Sequence, residues 1–119
     1  MCSSDLRIKR MALPLNVFQT VTAVLTTSPT EIYTAPVGYT GVVLLAQVTN
    51  VGANSQDITV LHRRSSTDTE ILKEYPISSK DTANILSGKL IIESGDKLVI
   101  SGSSSSNLKF IASILETLN

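Results

Sequence analysis

The stretch TAPVGYTGVVLLAQVTN, residues 34–50, contains a tight turn followed by the most apolar uninterrupted segment of the chain. Residues 35–38 (APVG) are typical of a type I turn, because proline fixes φ near about −65° and glycine suits the exit. From Gly41 the run VVLLAQV is rich in β-branched residues, too short for an independent helix and followed by turn residues. It predicts a central strand covered on both faces, in which Leu44→Ala would cost about 2–5 kcal/mol.

The composition indicates one globular domain without a strongly charged surface. The chain has 119 residues, of which 42% are hydrophobic and 17% charged, which suffices for a single core. Serine, threonine and valine are abundant, and these residues favour strands and turns over helices. Because the formal net charge is zero and no apolar run is long enough to span a bilayer, we expect neither nucleic acid nor a membrane as partner.

The first ten residues, MCSSDLRIKR, differ in composition from the rest and precede a second methionine, Met11. The string CSSDL is also the translation of a common sequencing-adapter end. We therefore expect residues 1–10, which carry the only cysteine, Cys2, to be a non-native extension that folding does not need. The alternative is a secretory signal, but Pro14 interrupts the segment that would be its apolar part, residues 11–18.

Residues 11–18 (MALPLNVF) are apolar, contain a proline and have no helical or strand period, which favours an extended arm. An apolar arm must be covered, either by its own domain or by a neighbouring subunit, and the sequence leaves both open. Residues 19–119 are then the sandwich domain. The candidate interface side chains in the arm are Leu13, Leu15, Val17 and Phe18.

Downstream of the arm, short alternating segments are separated by turn residues. The predicted strands are 20–27, 31–35, 41–50, 57–64, 70–77, 89–93, 97–101 and 108–115, with 82–87 as either a strand or one helical turn. Residues 94–96 (SGD) predict a hairpin between two of these strands, and Pro76 predicts a sheet edge. The pattern predicts an all-β fold, a single antiparallel, jelly-roll-like β-sandwich of about eight strands.

No set of side chains in the sequence is typical of a catalytic centre. His62, the only histidine, is followed by Arg63 and Arg64, which suit a solvated strand end, or an interface that binds a carboxylate or a phosphate. A calcium site would have to use Asp57, Asp68, Glu70 and Glu74, whose spacing does not match a calcium loop. We therefore expect no enzyme activity, no cofactor and no metal, and we count the three basic residues as candidate interface residues.

A series of motifs stands in a recognisable order: YTAPVGYT (33–40), VTN (48–50), HRR (62–64), LSGKL (86–90), ESGDKL (93–98) and SILE (113–116). In this order they resemble the small β-sandwich structural proteins encoded in virion gene clusters of tailed bacteriophages, particularly marine ones. The resemblance extends over residues 13–116. It implies a virion protein of the head or the tail. Because the apolar arm needs a partner to cover it, we also expect a homo-oligomer or many copies on one particle, bound to other virion proteins. The motifs are turns and buried strands, so no functional residue comes with them.

Two functions of different classes remain open at this point. The first is a structural component that docks on a phage particle. The second is a host-surface or carbohydrate-binding module, which would stack sugars on exposed aromatic side chains. The chain has no tryptophan, so Tyr33, Tyr39 and Tyr75 are the candidates for such stacking.

Overall fold

The computed structural model describes residues 16–119, which form nine β-strands and no helix. The strands are β1 (Asn16–Val24), β2 (Thr30–Thr34), β3 (Tyr39–Asn50), β4 (Gln56–Arg64), β5 (Thr67–Ile77), β6 (Thr82–Asn84), β7 (Leu90–Ile92), β8 (Lys97–Gly102) and β9 (Leu108–Leu118). Their sequences are rich in Val, Ile and Thr, whose branched side chains pack well on a pleated surface.

The strands form two antiparallel sheets that pack face to face. Sheet A has the order β1-β9-β3, with β6 and β7 both pairing with the far side of β3, and sheet B has the order β2-β8-β4-β5. This is the arrangement of a jelly roll, in which the chain alternates between two sheets. The prediction of an all-β, antiparallel, jelly-roll-like sandwich is confirmed. There are nine strands among the described residues because β6 and β7 divide one sheet position between them.

The core lies between the sheets and takes alternate residues from their strands. In β9, for example, Leu108, Phe110 and Ile114 point inward and are buried, while Lys109 and Ile111 between them are exposed. The buried side chains of this core include Leu25, Val43, Val48, Ile58, Val60, Ile92, Leu98, Ile100, Leu108, Phe110 and Ile114. Because the core uses only the inner face of each sheet, both outer faces are left to other contacts.

A β-bulge in β3 overturns the prediction that this strand is covered on both faces. Val43 lies opposite Ile114 and Leu45 lies opposite Ser113, so Leu44 is an extra residue without a partner in β9. The extra residue turns two consecutive leucines outward, and Leu44 is 38% exposed. A cost of 2–5 kcal/mol for Leu44→Ala is therefore wrong, since that magnitude belongs to buried leucines.

The turn before β3 lies one residue later than predicted. The amide of Tyr39 donates to the carbonyl of Pro36 at 3.0 Å, so Pro36 is the first and Gly38 the third residue of the turn. Gly38 has φ of 88°, which is the backbone conformation that the third position of a type II turn requires. The glycine is needed inside this turn, not at its exit.

The predicted hairpin at residues 94–96 is also wrong. β7 pairs with β3 in sheet A, whereas β8 pairs with β2 and β4 in sheet B, so this turn carries the chain from one sheet to the other. Gly95 has φ of 85°, and its amide donates to the carbonyl of Ala35 at 3.0 Å. Short strands joined by a glycine turn resemble a hairpin in sequence, and only the pairing distinguishes the two.

The first strand begins earlier than the sequence pattern indicates. β1 starts at Asn16, so Val17 and Phe18, which the sequence assigns to the arm, pair with Glu116 and Leu115 of β9. The remaining residues of the predicted arm and the predicted extension at residues 1–10 lie outside the described residues. At the opposite edge of the molecule, Pro76 lies in β5, the last strand of sheet B, as its missing amide proton predicts.

Candidate docking surface

An apolar stripe crosses the outer face of sheet A at right angles to its strands. Phe18 of β1 lies opposite Leu115 of β9, Leu115 lies opposite Val42 of β3, and Val42 lies opposite Ile91 of β7. Phe18 is 74% and Ile91 51% exposed, and Leu45 next to the stripe is also exposed. Directly opposed residues of neighbouring strands lie close together, so these side chains form one continuous surface, which we call the apolar stripe.

The rest of this outer face is almost uncharged and mixes polar with apolar side chains. The polar outward residues beyond the stripe include Thr20, Thr22, Gln47, Thr49, Thr82, Asn84 and Ser113, and the exposed apolar ones include Val24, Leu44 and Ile111. Lys109 is the charged residue among the outward positions of β9. Cross-strand bonds hold these side chains in place, since Gln47 Nε2 donates to Asn84 Oδ1 at 2.8 Å. A surface of this kind suits a neutral partner.

The outer face of sheet B is charged, and its charges bind one another. Arg63 Nε donates to Asp68 Oδ1 at 2.7 Å, and Arg63 Nη2 donates to Asp68 Oδ2 at 3.2 Å. Glu31 Oε2 lies 3.5 Å from Arg63 Nη1. The Arg63 guanidinium lowers the pKa of the Asp68 carboxyl below its usual range. Arg63 is therefore held within its own sheet, and one of the carboxylates considered for calcium is the partner that holds it.

A second ion-pair cluster closes one end of the sandwich around Asp96, whose side chain is nearly buried. Arg64 Nη2 and Nε donate to Asp96 Oδ2 at 2.7 and 3.0 Å, and His62 Nε2 lies 3.2 Å from the same oxygen. Glu93 Oε1 lies 3.3 Å from Arg64 Nη2. The amide of Ala35 donates to the carbonyl of Asp96 at 3.1 Å, which ties the turn before β8 to the loop after β2.

Hydrogen bonds from Arg64 lower the pKa of the Asp96 carboxyl below its ordinary value, although burial acts in the opposite direction. The charged form of Asp96 is thus the form that the fold stabilises. His62 and Arg64, which the sequence presents as surface residues at a strand end, bind a carboxylate of their own chain. This arrangement is a structural ion pair that joins the end of β4 to the turn before β8.

A third polar cluster lies between the sheets near the start of β1. Glu116 Oε2 accepts from Gln19 Nε2 and from the hydroxyl of Tyr33, both at 2.7 Å. Burial and the hydrogen bond to Glu116 raise the pKa of the Tyr33 hydroxyl above its ordinary value. The ring of Tyr33 lies against the backbone of Gly41, where an added Cβ would come within 2.6 Å of the tyrosine oxygen. The absence of a side chain at Gly41 therefore makes room for this ring.

These contacts also decide which tyrosines are available to a sugar. Tyr33 is buried and hydrogen-bonded, so the hypothesis that it stacks on a ligand is wrong. Tyr39 is half-buried, and Tyr75 is 44% exposed on the edge strand β5. Sugar-binding sites present an aromatic face together with convergent polar groups. Tyr75 is therefore the exposed candidate among the three.

The sequence-predicted interface residues do not form one surface. Phe18 points outward from sheet A, Val17 points inward from the same strand, and Arg63 lies on the outer face of sheet B. Leu13 and Leu15 lie outside the described residues. Among residues 16–119, no three His, Cys, Asp or Glu side chains are grouped so that they could hold a metal ion. No helix long and apolar enough to cross a membrane occurs within this same part of the chain.

Sequence reasoning identified Phe18 but missed its neighbours in the stripe. Leu115, Val42 and Ile91 come from three separate segments, and each by itself is an ordinary strand residue. Their signal is an apolar residue at an outward position of each strand, which can be recognised only when the cross-strand register is known. The bulge at Leu44 further obscures the inward and outward positions of β3.

No family model matches this chain, and no curated protein matches its sequence. Its fold is similar to that of a chain in the acid-stable capsid structure of the Helicobacter pylori bacteriophage KHP30, with a TM-score of 0.54 and 12% sequence identity, covering 88% of this chain and 89% of that one. It is also similar to a chain from Bacillus endospore appendages, described as a novel family of disulfide-linked pili, with a TM-score of 0.53 and 12% identity over 87% and 88% of the two chains. At such identity the likeness shows a shared fold: the chain has a jelly-roll sandwich that also occurs in a phage capsid and in a pilus.

Proposed function

We propose that this protein is a non-enzymatic structural component of a phage particle, as a head decoration or a tail-associated protein, and that it acts by protein–protein docking, to other virion proteins or to further copies of itself. The observation that carries the proposal is the apolar stripe on sheet A, since exposed apolar surface of this extent is typical of protein-binding faces. The fold similarity to a capsid chain and a pilus chain supports the same role, because both belong to multi-copy assemblies.

The polar clusters favour a structural role for those side chains whose types are common in catalytic sites. His62 and Arg64 of β4 both bind Asp96 in the turn before β8, and Glu116 binds Tyr33 within the sandwich. Each cluster connects segments that are distant in sequence. These side chains thus stabilise the jelly roll. In this proposal the outer faces of that fold make the contacts with other proteins.

The arm contributes to docking in this proposal. Leu13 and Leu15 precede β1 in the sequence, and Phe18 lies on the outer face of that strand. Burying each large apolar side chain against another subunit would contribute about 1.5–3 kcal/mol before the entropy of ordering is subtracted. Several such side chains, repeated in many copies, are enough to hold a protein on a particle.

The experiment that tests the proposal is a mass-spectrometric inventory of purified particles of the phage that encodes the chain. We expect the protein in gradient-purified virions at a stoichiometry of many copies relative to the tail-tip proteins, and at a position of the particle that antibody labelling can locate. Its absence from virions, while it is abundant in lysates of infected cells, would contradict the proposal and favour the binding-module alternative. A non-structural phage protein followed in the same gradient controls for contamination.

A further inference from the structure

We propose that the outer face of sheet A is a self-association surface, on which the apolar stripe binds the same stripe of a second copy of this chain. The inference rests on the proposed role as a multi-copy structural component and names both the surface and the partner. It starts from the four opposed side chains Phe18, Leu115, Val42 and Ile91.

The charge and polarity of the outer face of sheet A indicate which kind of partner it can bind. The stripe carries no charge, its flanks carry hydroxyl and amide groups together with the apolar Val24 and Ile111, and Lys109 lies at the far end of the face. A polyanion or a charged membrane would find one cation there, which is too little for electrostatic binding. A partner that matches must present a neutral apolar band bordered by polar groups.

Among residues 16–119, such a band lies on one of the two outer faces of the sandwich, that of sheet A. The other large face, the outside of sheet B, carries Glu31, Arg63, Asp68 and Lys97, which would be desolvated against the stripe without new partners. The outside of sheet A is neutral and therefore complementary to itself. Two copies related by a two-fold axis bring the same patch of each together, which is the commonest symmetry of homo-oligomers.

The geometry of the face allows this contact. β1 and β9 pair without interruption from Asn16 to Val24, so this half of the face is a regular pleated surface. Two sheets pack face to face at about 10 Å when their facing side chains interdigitate. Phe18 and Ile91 stand at opposite ends of the stripe, roughly 15 Å apart across four strands, so both can insert between side chains of the second sheet.

The size of the face is also adequate. Four strands of about nine residues have a projected area of about 600 Å². The accessible area of a corrugated face is larger than its projection, which brings it near the roughly 800 Å² per partner of ordinary specific interfaces. Phe18, the most exposed aromatic of the face, would be its principal anchor.

The test is sedimentation velocity of the full chain over a concentration series, without any particle present. We expect the wild-type chain to dimerise, and the double variant Phe18→Ser/Ile91→Ser to show a rise in the dimer dissociation constant of about 100-fold or more. Ile91→Lys alone should act in the same direction, because it places an unpaired ammonium group in the apolar contact of the dimer. Both positions are exposed in the single chain, so circular dichroism and the melting temperature at low concentration should match the wild type.

The matched control is Val37→Ser. Val37 is 92% exposed and apolar like the stripe residues, but it lies in the turn before β3, away from the face. This variant should dimerise as the wild type does. A second full-chain control, Leu13→Ser/Leu15→Ser, tests whether association depends on the residues before β1 and not on contact between two stripes.

Three results would overturn the inference: a wild-type chain that stays monomeric at the highest attainable concentration, a Phe18→Ser/Ile91→Ser variant that associates as the wild type does, or association that the Leu13→Ser/Leu15→Ser variant loses and the stripe variants keep. These results are separable from a failure of the proposed function. A monomeric chain found in virions contradicts the self-association alone, whereas a dimeric chain absent from virions contradicts the phage role alone.

Discussion

The two outer faces of the sandwich differ in how far their outward apolar side chains are exposed to solvent. On sheet B, Val99 lies between Glu31 and Leu61 in register and is 0% exposed, although it is not part of the core between the sheets. On sheet A, the comparable outward residues Ile91 and Phe18 are largely open to solvent. Long charged side chains can lay their apolar stems over a neighbouring residue, whereas threonine and serine are too short to do so.

The outer face of sheet B therefore has its side chains paired or covered within the single chain, whereas the outer face of sheet A leaves apolar side chains uncovered. The charges of sheet B satisfy one another through Arg63 and Asp68, so this side gains little from a partner. The stripe of sheet A has no such cover within the described residues. Apolar surface that its own fold leaves open is the part of a protein that gains most by binding.

The largest effect on stability is expected from one member of a matched pair of substitutions in β7. Ile92 points into the core and is fully buried, whereas Ile91 beside it is half-exposed on the stripe. We expect Ile92→Ala to lower the free energy of unfolding by about 2–5 kcal/mol, and Ile91→Ala to lower it by less than about 1 kcal/mol in the monomer. Chemical denaturation at low protein concentration measures both values.

The control for this pair is the concentration dependence of the Ile91→Ala result. If Ile91 is buried in a dimer, its substitution should become more costly as the protein concentration rises, whereas the cost of Ile92→Ala should change little. Equal costs at low concentration would show that the outward and inward sides of β7 have been assigned incorrectly.

The second prediction concerns the cluster that closes the sandwich at Asp96. Asp96→Asn keeps the shape of the side chain but weakens the bonds from Arg64 and His62, which should cost about 1–3 kcal/mol at neutral pH. Since the fold lowers the pKa of this carboxyl, its contribution is complete above the unfolded pKa of about 3.9 and is lost as the pH falls through the lower folded value. The wild-type and variant unfolding curves should therefore converge below about pH 4. A difference that persists unchanged at low pH would show that the ionised carboxylate is not the source of the stability.

The smallest effect is expected from Arg63→Ala on the outer face of sheet B. Its ion pairs with Asp68 and Glu31 are at the surface, where such pairs contribute little and weaken with salt. The melting temperature should be nearly unchanged at physiological salt, and self-association should equal that of the wild type. A loss of self-association in this variant, with the stripe intact, would show that the interface lies on sheet B and not on sheet A.

The sequence predicts the class of this fold because its local signals agree with one another. The alternation from Leu108 to Ile114 identifies both a strand and its inner face, and Pro76 identifies an edge strand. The errors arise where the answer depends on pairing. The turn at Gly95 joins two sheets instead of two neighbouring strands, and the bulge at Leu44 reverses the expected exposure of a leucine.

The candidate surface is harder to predict than the fold for the same reason. Its four residues are separated by tens of positions in the chain and are brought into line by the register of β1, β9, β3 and β7. The role of Asp96 was likewise hidden, because a turn aspartate has an ordinary local explanation. Its contact with Arg64 exists only because the turn crosses between the sheets.

The bulge in β3 also gives this strand an unusual tolerance to changes in chain length. Leu44 is the residue that β9 does not pair, so its deletion would leave Val43 opposite Ile114 and Leu45 opposite Ser113, with inward and outward positions simply alternating. A deletion elsewhere in a strand shifts every later side chain to the other face. Deletions in related sequences should therefore concentrate at this one position, where the longest strand among residues 16–119 can lose a residue while its inward side chains stay inward.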